Sequence, residues 1–259
     1  MKKEQFEKCL PMLLQGDCLE LMKDIPDKSI DMVFCDLPYG TTACKWDSII
    51  PLEPLWKHYK RLIKDNGVIV LFGSQPFTSK LIMSNFGMFK YCWIWEKTNS
   101  TGFNHCKNMP MKNYEDIAVF SSGIIQHKHL TTKRMAYNPQ GLVCVNRPNR
   151  RSTKGFEGTM ERKSQSNEFA TEFANYPRMI IKFAGASKPV HPTQKPIALC
   201  EYLIKTYTNE GETVLDNCMG SGTTGIACLN TNREFVGIEK SAKYFEIAQR
   251  RINNDNPKL

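Results

Sequence analysis

The stretch Asp36-Leu37-Pro38-Tyr39-Gly40 directly follows an apolar run, Asp31-Met32-Val33-Phe34-Cys35, and this run predicts a short buried strand. A carboxylate, a rigid turn and an aromatic ring therefore lie together at the carboxyl end of a strand. Open α/β sheets bind their ligands at this end of their strands. The pentapeptide alone fits an ordinary turn with a surface tyrosine equally well, so the choice depends on the rest of the chain.

The composition is that of a globular protein. The chain has 259 residues, of which 41% are hydrophobic, which suffices for one large domain or a domain with an insertion. No run approaches the ~18 apolar residues of a membrane span, and the N-terminal residues include acids instead of the apolar core of a signal peptide. We therefore expect a cytoplasmic protein without a membrane partner.

Ten cysteines are dispersed along the chain, and no Cys-x-x-Cys pair occurs. This spacing favours reduced thiols that serve as small apolar side chains over disulfides or a zinc site. The sequence therefore predicts no metal centre.

Apolar periodicity predicts alternating strands and helices on both sides of a central region that lacks such periodicity. Before this region we predict strands at 12–17, 31–36, 67–73, 91–96 and 116–121, and helices at 18–25, 54–64 and 75–85. After it we predict helices at 197–208 and 242–252 and strands at 211–216 and 233–239. Asn66-Gly67 is expected to cap the helix 54–64, and Pro196 is expected in the first turn of the helix 197–208, with Thr193 as its cap.

A glycine-rich turn, 217–225, follows the strand 211–216, and Glu239 closes the next strand. Glu239 lies seventeen residues after Gly222, close to the ~20 expected for a ribose-binding acid. The turn contains Gly-x-Gly without the third glycine of a dinucleotide fingerprint, and it lacks the Lys-Ser/Thr pair of a P-loop. The pattern disfavours a bound pyrophosphate and favours a nucleoside cofactor without phosphates.

The central region, 123–184, is rich in basic and small polar residues. Between residues 127 and 182, eleven lysines and arginines stand against four glutamates, a surplus of seven within the chain's net charge of +9. Such a cluster fits a solvated, partly disordered insertion. It fits equally an insert whose cations neutralise the phosphates of a nucleic acid, and charge alone leaves both interpretations open.

Three motifs together resemble those of the amino-methyltransferases that modify DNA bases with S-adenosylmethionine. Asp36-Leu37-Pro38-Tyr39 is similar to their catalytic Asp-Pro-Pro-Tyr, and Asp216-Asn217-Cys218-Met219-Gly220-Ser221-Gly222-Thr223-Thr224 is similar to their cofactor motif Asp-Pro-Phe-x-Gly-Ser-Gly-Thr-Thr. His191-Pro192-Thr193-Gln194-Lys195-Pro196 matches a third motif as it stands. The order, with the catalytic motif first and the cofactor motif last, is the permuted β-type arrangement of the group. The resemblance covers nearly the whole chain except the basic insert.

The resemblance implies an α/β fold: a Rossmann-like S-adenosylmethionine-dependent methyltransferase sheet with helices on both faces and an inserted basic target-recognition region. Residues 1–126 would form the catalytic half of the methyltransferase domain, 127–183 the target-recognition insert and 184–259 the cofactor-binding half. The strands 211–216 and 31–36 would lie side by side, and a crevice would open between their ends.

The resemblance also implies a site-specific adenine methyltransferase that acts on double-stranded DNA. The Asp36 carboxylate and the Leu37 carbonyl would accept the N–H groups of the N6 amine, beside the rigid Pro38. Tyr39 would stack on a base that has been flipped out of the duplex. Leu37 replaces the first proline of the family motif, which keeps the carbonyl and loses some rigidity of the turn.

The implied cofactor, S-adenosylmethionine, would contact residues from several parts of the chain. Its ribose would bind Glu239, its adenosine would contact Cys218, which is smaller than the phenylalanine of the family motif, and glycines would permit its close approach. The predicted set is Asp17 and Cys18 near the adenine, His191 and Thr193 near the methionine, and Asp36, Asp216, Cys218, Gly220, Ser221, Gly222, Thr223 and Glu239. The predicted DNA-binding residues of the insert are Arg147, Arg150, Arg151, Lys154, Arg162 and Lys163.

Several alternatives stay open at this point. Methylation of cytosine N4 would keep the fold and the cofactor, although that branch more often carries Ser at the position of Asp36. Related proteins that methylate RNA or protein amides usually carry Asn there. A non-catalytic DNA-binding subunit would be expected to lose the motif acids. A homodimer and a cognate restriction endonuclease that acts on the same site are further partners that the resemblance suggests.

Overall fold

The structure is a computed structural model that describes residues 3–8, 10–40, 48–125, 133–150, 168–185 and 194–254. Its α-helices are α1 Lys3–Lys8, α2 Cys18–Leu21, α3 Leu52–Leu62, α4 Phe77–Ser84, α5 Ile197–Tyr207, α6 Thr223–Asn230 and α7 Ala242–Asn254. Its strands are β1 Met12–Gln15, β2 Ile30–Cys35, β3 Ile63–Gly73, β4 Phe89–Thr101, β5 Lys112–Phe120, β6 Val143–Arg150, β7 Glu168–Ala174, β8 Ile180–Lys182, β9 Thr213–Asp216 and β10 Glu234–Glu239. The chain divides into a larger unit, Met1–Asn138 with Met179–Leu259, and a smaller unit, Pro139–Arg178. Within the described ranges, no helix is both long and apolar enough to cross a membrane.

The larger unit is built on an eight-stranded sheet in the order β1-β10-β9-β2-β3-β5-β4-β8. The strands from β1 to β3 in this order run parallel, whereas β5 is antiparallel to β3 and to β4. β2 lies beside β9, with Met32 opposite Val214, so the predicted adjacency of the two motif strands is confirmed. The chain leaves β9 through α6 to β10 on one side, and leaves β2 through α3 to β3 on the other. The topological switch point, where ligands of such sheets bind, therefore lies between β9 and β2.

Helices cover both faces of the parallel strands, because successive strand side chains point to opposite faces. Met32 and Phe34 of β2 pack in one apolar cluster with residues of α5, α6 and α7. Val33 and Cys35 pack in a second cluster with residues of α3 and α4. Burial from both sides explains the nearly continuous apolar runs of these strands, and the observed architecture confirms the predicted Rossmann-like sheet.

The end of α3 differs from the prediction. α3 ends at Leu62, and Asn66 and Gly67 lie inside β3 instead of capping the helix. The pairing register between β2 and β3 shifts at this point, and a Cβ atom on Gly67 would lie 2.8 Å from the carbonyl oxygen of Asp31. The glycine therefore permits the close approach of two strands. The sequence does not show that Asp31 lies beside Gly67, so the Asn-Gly pair by itself predicts a helix cap.

Two further boundaries also differ. Pro196 is the N-cap residue of α5 rather than a residue of its first turn, and it makes no side-chain capping bond. Thr193, the predicted cap, lies outside the described residues. The predicted strand 91–96 extends to Thr101, because its exposed second half pairs with β5.

The smaller unit contains a two-stranded antiparallel sheet of β6 and β7, with Val143 opposite Ala174. The Asn175 amide donates a 2.7 Å hydrogen bond to the carbonyl of Gly141 near the ends of this pair. Val143 and Phe173 are exposed, which explains why apolar periodicity did not predict the two strands. The unit lies within the predicted insert 127–183, whose boundaries and recognition role stay a prediction.

Candidate active site

A cavity of ≈ 660 Å³ opens at the carboxyl ends of the parallel strands in the larger unit. Its volume falls in the range of about 300–1,000 Å³ that is typical of small-molecule sites. The predicted site residues that line it are Asp17, Cys18, Asp36, Leu37, Pro38, Tyr39, Asp216, Cys218, Gly220, Ser221, Thr223 and Glu239. Gly222 is absent from this lining, and His191 and Thr193 lie outside the described residues.

Glu239 ends β10, and the main chain fixes both of its carboxylate oxygens. Oε2 accepts the N–H of Gly220 at 2.9 Å, and Oε1 accepts the N–H of Ser241 at 2.7 Å. Each oxygen keeps a further lone pair for a ligand hydroxyl. Burial raises the pKa of this carboxyl above its ordinary value.

Asp17 follows β1 and caps α2. Its carboxylate accepts the N–H of Leu19 at 3.0 Å and lies 3.0 Å from the ammonium of Lys240. The hydrogen bond from Lys240 lowers the pKa of Asp17. The carboxylate therefore stays ionised at one rim of the cavity.

Asp216 ends β9 and is buried. Its carboxylate accepts the N–H of Cys218 at 3.1 Å and the hydroxyl of Thr224 at 2.6 Å. Burial raises the pKa of Asp216 to about 7. These bonds tie the end of the strand to the glycine turn and to the first turn of α6, so Asp216 shapes the end of the cavity beside the glycine turn.

The two glycines of the turn have different roles. Gly220 has φ +53° with open space where a Cβ atom would stand, and it lines the cavity. Gly222 has φ +80°, and a Cβ atom there would lie 3.0 Å from the Cβ of Ala248 in α7. The left-handed φ favours a glycine at both positions. The close approach that Gly222 permits is to α7, which differs from the predicted approach to a cofactor.

The start of α6 presents polar groups to the cavity. The Ser221 hydroxyl accepts a 2.9 Å hydrogen bond from Arg251. Thr223 lines the cavity, and its hydroxyl is buried and has no hydrogen-bond partner among the described residues. A buried hydroxyl without a partner costs free energy, so this atom marks a place where a polar ligand group would be bound favourably.

Thiols form part of the cavity wall. The hydrogen bond with Cys218, followed by burial, raises the pKa of Cys18 well above its ordinary value. Burial raises the pKa of the neighbouring Cys35 to about 12. Tyr59 donates a 2.5 Å hydrogen bond to the side-chain oxygen of Asn217 beneath them. The part of the wall that these thiols form is therefore neutral and weakly polar, which suits the flat face of a nucleoside.

Side chains, in contrast, hold Asp36 at the end of β2. Its Oδ1 accepts a 2.6 Å hydrogen bond from the Tyr39 hydroxyl, and its Oδ2 is paired with the Lys195 ammonium. The Tyr39 ring stacks on Phe77, with centroids 5.0 Å apart and planes at 28°. Burial and the charge of Asp36 raise the pKa of the Tyr39 phenol well above its ordinary value. Tyr39 is thus a neutral donor to Asp36.

Lys195 is a site residue that the sequence analysis did not single out. Its ammonium pairs with Asp36, lies 3.4 Å from Glu115 of β5 and lies 4.8 Å from the ring centroid of Phe72. Burial lowers the pKa of Lys195, but the charges of Asp36 and Glu115 outweigh it and raise the pKa above its ordinary value. Lys195 belongs to the third motif, 191–196, and this motif is the sequence signal that could have identified it as a site residue. The motif does not indicate which residues Lys195 contacts.

Most of the predicted DNA-binding residues lie outside the ranges that the structure describes. Arg147 is exposed on β6, and Arg150 is in the same strand, but its side chain is not described. Arg151, Lys154, Arg162 and Lys163 lie outside the described residues. Among the residues that the structure does describe, no group of His, Cys, Asp and Glu side chains could hold a metal ion.

The amino-acid sequence of the chain matches the model of a known protein family. The family model described as DNA methylase, for N6 and N4 methyltransferases, matches residues 30–250 of the chain. The type II methyltransferase M.HpaI of Haemophilus parainfluenzae is 27% identical over 256 residues, which cover 94% of this chain and 74% of that protein. The type II methyltransferase M.HinfI of Haemophilus influenzae is 26% identical, over 99% of this chain and 72% of that protein.

Solved structures show the same fold. The M1.HpyAVI–SAM complex superposes with a TM-score of 0.62 at 26% identity, over 93% of this chain and 98% of that chain. The cytosine-N4-specific PvuII DNA methyltransferase superposes with a TM-score of 0.66 at 15% identity, over 94% of this chain and 90% of that chain. The first of these structures contains S-adenosylmethionine.

Proposed function

Because the chain belongs to the N6/N4 DNA methylase family, we propose that it transfers a methyl group from S-adenosylmethionine to the N6 amine of an adenine flipped out of a DNA duplex. The position of Asp36 carries the proposal. Its carboxylate lines the same cavity as Glu239 and Thr223, at the end of the strand that lies beside β9. An amine that Asp36 holds would therefore face a methyl donor held by the residues of β9 and β10.

The cofactor supplies an electrophilic methyl group on a sulfonium, and the residues around the glycine turn match the rest of the molecule. The Glu239 carboxylate, which the N–H groups of Gly220 and Ser241 hold in place, accepts hydrogen bonds from the two ribose hydroxyls. The Thr223 hydroxyl donates to a polar group of the methionine part, so it gains the hydrogen-bond partner that it lacks among the described residues. The neutral thiols of Cys18 and Cys218 contact the adenosine.

Asp36 and the carbonyl of Leu37 orient the target amine. The lone pair of an exocyclic amine is delocalised into its ring, so the nitrogen is a poor nucleophile. Two acceptors on its N–H groups favour a tetrahedral nitrogen whose lone pair points out of the ring plane. That lone pair forms the new N–C bond while the C–S electron pair stays on sulfur, and one amine proton then leaves to water. Positioning and electrostatics are the main contributions of these residues.

Tyr39 helps to retain the flipped base. Extrusion of a base from the duplex costs a few kcal/mol, and an aromatic platform returns about 1–3 kcal/mol. One face of the ring packs on Phe77, and its hydroxyl is bound to Asp36. The ring is therefore fixed beside the carboxylate, where it stacks on the base that Asp36 binds.

The choice of adenine over cytosine rests on the identity of residue 36. An aspartate at this position resembles the adenine branch of the family, whereas the cytosine branch more often carries serine. A carboxylate accepts from a donor amine more strongly than a hydroxyl does. The second candidate, methylation of cytosine N4, keeps every cofactor contact and changes only the base.

The basic region supplies the contact with DNA in this proposal. Its surplus of positive charge suits a phosphate backbone, and the exposed Arg147 of β6 belongs to it. We assign target recognition to residues 127–183. The relatives M.HpaI and M.HinfI are named type II methyltransferases, which supports a restriction endonuclease of the same site as a partner of this chain.

A methylation reaction on mixed-sequence DNA with labelled S-adenosylmethionine tests the proposal. The DNA is then digested, and the mass of the labelled nucleoside identifies the base. We expect N6-methyladenine. Label in N4-methylcytosine would overturn the assignment of the base, and measured cofactor binding without any transfer to DNA would overturn the proposed substrate.

A further inference from the structure

Four charged side chains from separate segments form a continuous array at the catalytic end of the cavity. Lys97 of β4 pairs with Glu115 of β5, Glu115 lies 3.4 Å from the Lys195 ammonium, and Lys195 pairs with Asp36. The side chains of Lys195 and Glu115 are only 9% and 14% exposed. The formal charges of the two lysines and two acids cancel. A buried ion pair often stabilises a protein no more than packed apolar side chains of similar volume, so stability alone does not explain the array.

The hold on Asp36 differs from that on Glu239, Asp216 and Asp17, each of which accepts at least one main-chain N–H. Within the described part of the chain, the partners of the Asp36 carboxylate are the Tyr39 hydroxyl and the Lys195 ammonium, which are both side chains. The Asp36 side chain is 24% exposed, at the end of a strand. Its orientation therefore depends on these two partners.

We propose that Lys195 is a positioning residue for methyl transfer, and that its ammonium keeps the Asp36 carboxylate in the orientation that accepts the amine N–H. The inference rests on the function proposed above for Asp36. A displacement of about 1 Å at a reacting centre can cost about 100-fold in rate. Lys195 occupies Oδ2 and Tyr39 occupies Oδ1, so the carboxylate cannot rotate without breaking both contacts.

Glu115 has a matching role. During the transfer, positive charge develops on the amine nitrogen beside Asp36, and an unbalanced Lys195 would repel that charge. Glu115 offsets the ammonium at 3.4 Å, and Lys97 in turn holds Glu115. Burial alone would raise the pKa of Glu115, but the two lysines outweigh it and lower the pKa, so Glu115 is the anion that this role requires.

The test compares Lys195→Met, Lys195→Arg, Glu115→Gln and the double variant Lys195→Met/Glu115→Gln with the wild type. Lys23→Met, at a lysine whose side chain is 57% exposed, is the matched control. Single-turnover methyl transfer is measured with both substrates saturating. The cofactor dissociation constant and the thermal unfolding midpoint of each variant are measured separately.

We expect Lys195→Met to slow methyl transfer by about 10- to 100-fold while the cofactor dissociation constant changes by less than about threefold. Lys195→Arg should recover part of the rate because it keeps a cation. The double variant has no net change of charge but lacks the bond to Asp36, so it should stay slow even where its unfolding midpoint recovers.

Transfer at the wild-type rate by Lys195→Met or by the folded double variant would overturn the inference. A rate that only follows the folded fraction of each variant would assign Lys195 to stability instead. The wild-type product in the same assay tests the proposed function separately. If that product is N4-methylcytosine and Lys195→Met is still slow, the inference stands and only the base changes. If the wild type transfers no methyl group to DNA, the proposed function fails and the inference falls with it.

Discussion

The two ends of the cavity hold their carboxylates in different ways. At the cofactor end, Glu239 is bound by two main-chain N–H groups, and Asp216 and Asp17 are each bound by one. At the catalytic end, Asp36 is bound by the side chains of Tyr39 and Lys195. Each acid at the cofactor end therefore has at least one main-chain donor, besides the Lys240 ammonium at Asp17 and the Thr224 hydroxyl at Asp216. Asp36 is instead held by two side chains, one of them 159 positions away.

This difference suits the two ligands. A cofactor that binds in every catalytic cycle benefits from acceptors that the main chain fixes before it arrives. In the proposed function, a flipped base arrives from a duplex and has to be oriented against the methyl group, and an array of paired side chains can hold the carboxylate while the base enters. The two ends should consequently respond differently to mutation: the cofactor end in affinity, and the catalytic end in rate.

The largest effect is expected for Asp36→Asn. The amide keeps the shape of the side chain but replaces one acceptor oxygen with an NH₂ donor. That donor then faces another donor, either the target amine or the Lys195 ammonium. We expect single-turnover methyl transfer to slow by about 100- to 1,000-fold, the usual loss when one group that stabilises a transition state is removed. Asp65→Asn, at an aspartate whose side chain is 89% exposed, is the control and should be unchanged. A rate within threefold of the wild type would remove Asp36 from the chemistry.

Glu239→Gln should have the next largest effect, and it should act on affinity. Hydrogen bonds to a charged group contribute about 1.5–3 kcal/mol, so we expect the cofactor dissociation constant to rise by about 10- to 100-fold. The transfer rate at saturating cofactor should stay near that of the wild type. Glu234→Gln, at the other end of β10, is the matched control for calorimetric titration. Unchanged affinity in Glu239→Gln would exclude the ribose assignment.

Neighbouring threonines allow a finer comparison. Thr223→Val removes a buried hydroxyl that has no partner among the described residues, so the ligand-free protein should unfold at an equal or higher temperature, while cofactor affinity falls by about 3- to 10-fold. Thr224→Val removes the 2.6 Å bond to Asp216 and should lower the unfolding temperature. Thermal unfolding with and without cofactor measures both effects. Full cofactor affinity in Thr223→Val would contradict the role of its hydroxyl.

The smallest expected effect is the pH dependence of cofactor binding. Burial raises the pKa of Glu239, so its carboxyl is protonated at a higher pH than an exposed glutamate. The protonated form accepts hydrogen bonds poorly, so affinity should fall as the pH is lowered from neutrality into the acidic range. This slope should be weaker in Glu239→Gln. Titration calorimetry across this range gives the result, and an equal slope in both proteins would assign the titration to another group.

The sequence predicts those parts of the site that short segments determine. Glu239 follows its strand at a spacing that indicates a ribose-binding acid, and Asp36 follows a strand that could be identified from its apolar run. The array from Lys97 to Asp36 was missed because its members come from four segments that only the folded sheet brings together. Gly67 was wrongly predicted to cap a helix for the same reason, and the close approach of Gly222 to α7 could not be foreseen either, while its cofactor role stays a prediction. A glycine pattern shows that the chain approaches something closely, but it does not show whether that neighbour is a ligand, a strand or a helix.

One structure would test the comparison most directly: a complex with a non-reactive analogue of S-adenosylmethionine and a DNA duplex that contains the target site. The account predicts that the exocyclic nitrogen of a flipped adenine lies about 3 Å from both the Asp36 carboxylate and the Leu37 carbonyl. It also predicts that the Lys195–Asp36 pair stays intact and that Glu239 binds the ribose hydroxyls. A base whose amine faces away from Asp36, or a cofactor whose ribose lies away from Glu239, would contradict it.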